Sequence, residues 1–133
     1  MSQENVEVIR QVFEVFNSED IEQIVALTDA ELVVEIPSEV SAEPDTYHGA
    51  EGIRRYFSSF QDAMEEIRFK PEKLWDAGDS VVVALLLTAK GRRTAIPVEQ
   101  RTAGIWTVRE GKIVRVRAFA SPVEALRAAG VSE

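Results

Sequence analysis

Two side chains of this chain could move a proton near neutral pH: its single histidine, His48, and the carboxylate Glu35. An unperturbed imidazole titrates at about 6.5, and a glutamate carried into apolar surroundings rises toward that range. Either residue is a candidate general acid or base. His48 stands beside Gly49 in a turn, where an imidazole can equally cap a helix or face water. Glu35 precedes Ile36 in a segment of strand character, and alternation sends the two to opposite faces, so a solvated glutamate is the other reading. Tyr47 and Tyr56 add hydroxyls that could hold a ligand oxygen, or could rest their rings in the core with the hydroxyls at the surface. With no cysteine, there is no thiol nucleophile or thiolate ligand, and one histidine among dispersed carboxylates makes no metal constellation. No cofactor is indicated.

The stretch that must position such groups runs from Val98 to Ala120. Two segments rich in β-branched and aromatic residues flank REG, which predicts a long antiparallel hairpin. A two-residue Glu110-Gly111 turn would force Glu110 to positive φ, so the expectation is a three-residue loop, Arg109 to Gly111, with Val108 facing Lys112. One face then carries Gln100, Thr102, Gly104, Trp106, Val114, Val116, Ala118 and Ala120. The other carries Arg101, Ala103, Ile105, Thr107, Ile113, Arg115, Arg117 and Phe119. The first is nearly uncharged and holds small residues, as a cavity wall would. On it Gln100 and Thr102 are the polar points, able to orient a carbonyl or hydroxyl. The second mixes arginine with large apolar side chains, the composition of protein interfaces, and predicts a homodimer contact through Arg101, Ile105, Ile113, Arg115, Arg117 and Phe119.

Earlier in the chain, Ile9, Phe13 and Phe16 lie on one face of a first helix, widened by Val8, Val12 and Val15. Asp20 with Gln23 resembles a capping box opening a short second helix. Leu32 to Ile36 reads as a strand ended by Pro37, and Ser38 to Tyr47 as a polar loop. A third helix follows, with Ile53, Phe57, Phe60 and Met64 on one side; Gly52 within it implies close approach of another backbone. Pro71 interrupts the next strand, which should be bulged or at an edge, whereas Val81 to Ala89 is apolar on both faces and predicts a covered central strand. Ser121, Pro122 and Glu124 open a short terminal helix that Gly130 stops. This order predicts an α+β fold: a strongly curved antiparallel or mixed sheet wrapped on three helices of the N-terminal half, leaving a cone-shaped barrel with an open mouth. Phe13, Phe16, Phe57 and Trp106 should border its hollow.

The 133 residues suffice for a single domain spanning 1–133, and the formal charge of -8 with dispersed arginines argues against nucleic acid as a partner. No run is long and apolar enough for a signal core or a membrane span, so a cytoplasmic protein is expected.

The element order, together with YHGAEGIRRYF after a Pro-containing loop, VVVALLL, EQRTAGIWTVREGKIVRVRAF and the closing EALRAAG, resembles the SnoaL-like branch of the nuclear transport factor 2-like superfamily. The resemblance implies a cone-shaped α+β barrel with an internal pocket, commonly a homodimer through the outer sheet face. It does not imply one reaction, because the superfamily includes isomerases, cyclases, epoxide hydrolases, dehydratases and binding domains. In ketosteroid isomerases the base is an aspartate after the first strand; in the VEIP segment here Ile36 holds that position. The oxyanion-hole acid would fall near Gly104, and the tyrosine of the first helix near Phe13 or Phe16. The catalytic aspartates of SnoaL-type cyclases and of limonene epoxide hydrolase would fall among Val114, Val116, Ala118 and Ala120. The resulting expectation is a pocket for a small, largely apolar molecule, walled by Phe13, Phe16, Ile36, Tyr47, Tyr56, Phe57, Gln100, Thr102, Gly104, Trp106, Val116 and Ala118. Binding without catalysis is preferred; the alternative is an isomerase, cyclase or dehydratase using Glu35 or His48.

Overall fold

Apolar residues at helical spacing bury one side of the first helix, α1 (Ser2–Asn17), where Ile9, Val12 and Phe13 are almost wholly enclosed. The computed structural model describes residues 2–18, 20–40 and 45–131, so part of the loop expected over 38–47 lies outside the described residues. Asp20 caps α2 (Ile21–Ala26), its carboxylate accepting from the backbone N–H groups of Glu22 and Gln23 at 3.1 and 3.3 Å. The strand β1 (Thr28–Ile36) begins four residues earlier than its apolar run. It is followed by a short strand, β2 (Asp45–His48), where a loop was expected. Pairing with β1, in the register Val34 to Tyr47, supplies the ladder that its polar sequence does not advertise.

Gly49 opens α3 (Gly49–Ala63) at φ +58. Gly52 is the close approach its sequence implied, since a Cβ there would come within 3.0 Å of the Tyr47 carbonyl carbon and Cβ. The C-terminal end of α3 is held by Arg92, whose backbone N–H donates to Ala63 O at 2.9 Å and whose guanidinium donates to Gln61 O and Met64 O at 3.0 Å each. The remaining strands, β3 (Met64–Ala77), β4 (Ser80–Gly91), β5 (Pro97–Arg109) and β6 (Lys112–Phe119), complete a sheet in the order β2-β1-β6-β5-β4-β3. The β1–β6 pair is parallel and the others antiparallel, so the sheet is mixed. It is curled around the helices without closing.

Strand β3 is at the edge and bulged on both sides of its middle, after Glu65 and after Pro71. There Asn17 of α1 substitutes for a neighbouring strand: its amide oxygen accepts from Phe69 N–H at 2.7 Å and its nitrogen donates to Phe69 O at 3.0 Å. Strand β4, interior to the sheet between β5 and the edge strand β3, has Val81, Val82 and Val83 fully buried. Both sides of it are covered, because α4 (Pro122–Ala129) lies against the outer face and closes a second cluster of Val82, Ala103, Ile105, Ala125 and Leu126. Ser121 caps this helix and Gly130 ends it at φ +72.

The hairpin differs from expectation at its turn. Arg109 pairs with Lys112, so the loop has two residues, and both Glu110 and Gly111 take positive φ, +53 and +75. A bulge between Thr107 and Val108 then shifts the register by one residue, so that Trp106 faces Val116 and Gly104 faces Ala118. Beyond the bulge the even-numbered residues share a face as expected; next to the turn they do not. Ile113 therefore pairs with Val108 and is buried inward, away from the outer face to which strict alternation assigned it.

A candidate ligand cavity

The curl of the sheet over α1 and α3 leaves a cavity of about 480 Å³. Its rings come from five elements and meet at steep angles, most of them edge to face. Phe16 of α1 lies 5.1 Å from Phe57 of α3, 5.5 Å from Phe69 of β3 and 5.8 Å from Trp106 of β5. Tyr56 continues the belt, 5.2 Å from both Phe57 and Tyr47.

Of the residues expected in the wall, Phe16, Ile36, Tyr47, Tyr56 and Phe57 line the cavity from the helices and the first two strands. Gln100, Thr102, Gly104 and Trp106 line it from β5, and Val116 and Ala118 from β6. Phe13 does not. It sits one layer deeper, only 2 % exposed, with its ring 5.2 Å from that of Trp106. Sequence reasoning missed Leu85 and Leu87 of β4, Val98 of β5, Phe69 of β3 and Ile113. The alternation of β4 could have pointed to the leucines, and the even face of β5 to Val98. Ile113 depended on the bulge and had no signal.

The two proton-transfer candidates stand apart from this space. Glu35 is on the opposite side of β1 from Ile36, where its Oε2 accepts from Arg115 Nη2 at 2.7 Å and Nε at 2.9 Å. It borders a shallow outer depression with Pro37, Glu39, Asp45 and Arg117. His48 is exposed at the junction of β2 and α3, and its side chain makes no capping hydrogen bond. Among the described residues lining the cavity there is no Asp, Glu, His, Lys or Arg. Its polar groups are neutral. Gln100 donates to Val40 O at 2.8 Å, fastening the segment after β1, and Thr28 donates to Val25 O at 2.8 Å. Burial pushes the Tyr56 phenol up to about 12, with a smaller contribution from Tyr47, so it stays protonated. No group of His, Asp and Glu among the described residues could hold a metal ion.

The residues expected at a dimer contact are divided. Ile113 is in the cavity wall, and Ile105 and Phe119 pack with α4 of the same chain. Arg101 pairs with Glu72 at 3.0 Å, Arg115 with Glu35, and the Arg117 guanidinium lies 5.2 Å from the Phe119 ring. These three arginines remain on the outer face.

A family model described as a SnoaL-like domain matches residues 9–116. No curated protein matches the sequence. Among solved structures, the chain is similar to a Catenulispora acidiphila hypothetical protein with a ketosteroid isomerase-like fold, in complex with trimethylamine. There the identity is 17%, with 95% of this chain and 94% of that chain covered, at a TM-score of 0.76. A nuclear transport factor 2-like protein from Burkholderia thailandensis is similar at 24% identity, 95% and 96% coverage and a TM-score of 0.76. SalBIII, an epoxide hydrolase/cyclase-like enzyme of pyran ring formation in the polyether salinomycin, is similar at 28% identity, 88% and 90% coverage and a TM-score of 0.75.

Proposed function

The chain belongs to the SnoaL-like family, and from that premise we propose that its cavity binds a small, largely apolar molecule without transforming it. One observation carries this reading: the described lining residues offer aromatic and aliphatic surface with a few neutral polar groups and no carboxylate, imidazole or amine. An isomerase, cyclase or dehydratase would need a proton carrier within hydrogen-bond reach of its substrate, and both Glu35 and His48 are outside the cavity. Kinship with SalBIII favours the enzymatic alternative, since that relative is described as epoxide hydrolase/cyclase-like.

Titration with N-phenyl-1-naphthylamine, a neutral fluorescent probe, tests the reading. One equivalent should be taken up, and Ala118→Trp, which fills the cavity from β6, should abolish uptake. Failure of the wild-type protein to bind, or undiminished binding by the filled variant, rejects it. Native mass spectrometry of the gently purified protein then identifies what occupies the cavity.

The same reading takes the protein as cytoplasmic and the outer face of β5 and β6 as a homodimer contact through Arg101, Arg115 and Arg117. Support comes from three arginines gathered on one face, with the half-buried Phe119 ring beside Arg117. Changing Arg115 and Arg117 together to Glu should shift the sedimenting species toward monomer; an unchanged profile rejects the contact.

A further inference from the structure

Along β5 the inward row reads Gln100, Thr102, Gly104, Trp106, from half-buried to buried, and the missing side chain at Gly104 is not empty space. A Cβ there would stand 3.0 Å from Trp106 Nε1 and 3.4 Å from its Cδ1, so the indole folds its nitrogen edge back over the glycine. Trp106 is only 8% exposed. Its N–H donates to none of the described residues, although buried indole donors ordinarily find an acceptor. Sealed off, this nitrogen would be an unsatisfied buried donor, and the described residues contain none. It therefore keeps accessible surface, and the cavity is the space that Trp106 lines. An indole nitrogen can only donate, which sets the chemistry of whatever meets it.

We infer that Gly104 and Trp106 form a hydrogen-bonding notch that receives the carbonyl oxygen of an uncharged, flat apolar ligand, an inference that rests on the apolar-binding reading of the same cavity. The aromatic belt of Phe16, Phe57 and Phe69 receives the hydrocarbon body. The notch receives the single acceptor. A ligand without an acceptor would leave the indole N–H dry and unpaired, and discrimination follows from that loss.

The test compares 2-acetylnaphthalene with 2-isopropenylnaphthalene, which has the same shape with a methylene in place of the carbonyl oxygen. Affinities are measured by equilibrium dialysis for the wild-type protein, Trp106→Phe and Gly104→Ala. The preference for the ketone, taken as the ratio of the two affinities, should fall about fivefold in Trp106→Phe, the size of one neutral hydrogen bond. It should also fall in Gly104→Ala, whose methyl displaces the indole edge. In the wild-type protein the ketone should move the Trp106 Nε1–H resonance and leave that of Trp75 in place, while the alkene moves neither proton by hydrogen bonding. This measurement decides the matter even if Trp106→Phe fails to fold. An unchanged ratio or a stationary Trp106 resonance overturns the notch and leaves the apolar cavity standing. Failure of both naphthalenes to bind overturns the cavity reading as well.

Discussion

Glu35 and Ile36 are joined by one peptide bond, yet they belong to two different environments. On the outer face of the sheet Glu35 meets Arg115, Arg101 meets Glu72, and every one of these charges keeps contact with water. On the inner face Ile36, Gly104, Trp106, Val116 and Ala118 surround a cavity whose described lining carries no formal charge. The two faces are built from the same strands. Period-two alternation is what lets them differ, and the cost of moving a charge out of water is what keeps them apart. A family whose fold supports several chemistries can thus present a cavity whose described lining is uncharged, while Glu35, Arg101 and Arg115 lie on the outer face.

The most severe way to break this contrast is to move a carboxylate across it. Ile36→Asp removes a buried aliphatic side chain and places an ionisable group in the wall, and should cost about 4 kcal/mol at neutral pH. Burial raises the folded-state pKa of such a group, so the folded protein holds the proton more tightly than the unfolded chain. Stability of the variant should therefore fall as pH rises from the unfolded value of about 4 through the raised folded value, and recover in acid. Urea unfolding at mildly acidic and mildly alkaline pH reads this directly. A loss independent of pH would mean that water reaches position 36 freely, and the distinction between the faces would weaken.

Tyr56 tests the inner face with a group already present. Its phenol is raised to about 12, so the folded state retains a proton that the unfolded chain releases near pH 10. The associated stability is fully present below pH 10 and is lost between 10 and 12, by roughly 2 kcal/mol. Tyr56→Phe should remove that portion of the alkaline loss, and the difference in phenolate absorbance between wild type and variant should show Tyr56 titrating late. Coincident titration of both tyrosines at the ordinary value contradicts the desolvated wall.

The contrast was legible in the sequence because alternation is a strong signal in Gln100, Thr102, Gly104 and Trp106 and in their opposed partners Val116 and Ala118. Placing Ile36 inward and Glu35 outward needed the same rule alone. What could not be read was the junction. Steric preference argued for three loop residues, whereas the chain makes a two-residue turn, accepts positive φ at Glu110, and restores parity by a bulge two residues further on. The bulge is selected by the neighbours on both sides, among them the Ile113 N–H donating to Leu27 O at 3.0 Å, and no local pattern encodes it. Strand β2 escaped for a related reason, since its polar residues gain a ladder only from β1. The division of the arginine face by α4 also lies beyond periodicity: Ile105 alternates correctly outward and is then covered by Ala125 and Leu126.

The turn offers a smaller test that sharpens the register on which the two faces depend. Glu110→Gly relieves a side chain held at φ +53, and should stabilise the protein by about 0.5–1 kcal/mol if the two-residue turn is correct. A three-residue loop, with only Gly111 in the left-handed region, would instead make the new glycine mildly destabilising.

The gentlest change is also on the outer face, one residue from the most severe. Glu35 and Arg115 form a close pair, but their side chains are 39% and 50% exposed, so screening by water reduces the gain to about 0.5 kcal/mol. Glu35→Gln, Arg115→Gln and the double variant form a cycle that measures this coupling by urea unfolding. Uptake of N-phenyl-1-naphthylamine should be the same in all three as in the wild-type protein. A coupling of several kcal/mol, or a fall in probe affinity on Glu35→Gln alone, would require the carboxylate to sense the interior. The wall between the two environments would then lie on the other side of β1 from where Ile36 and Tyr47 place it.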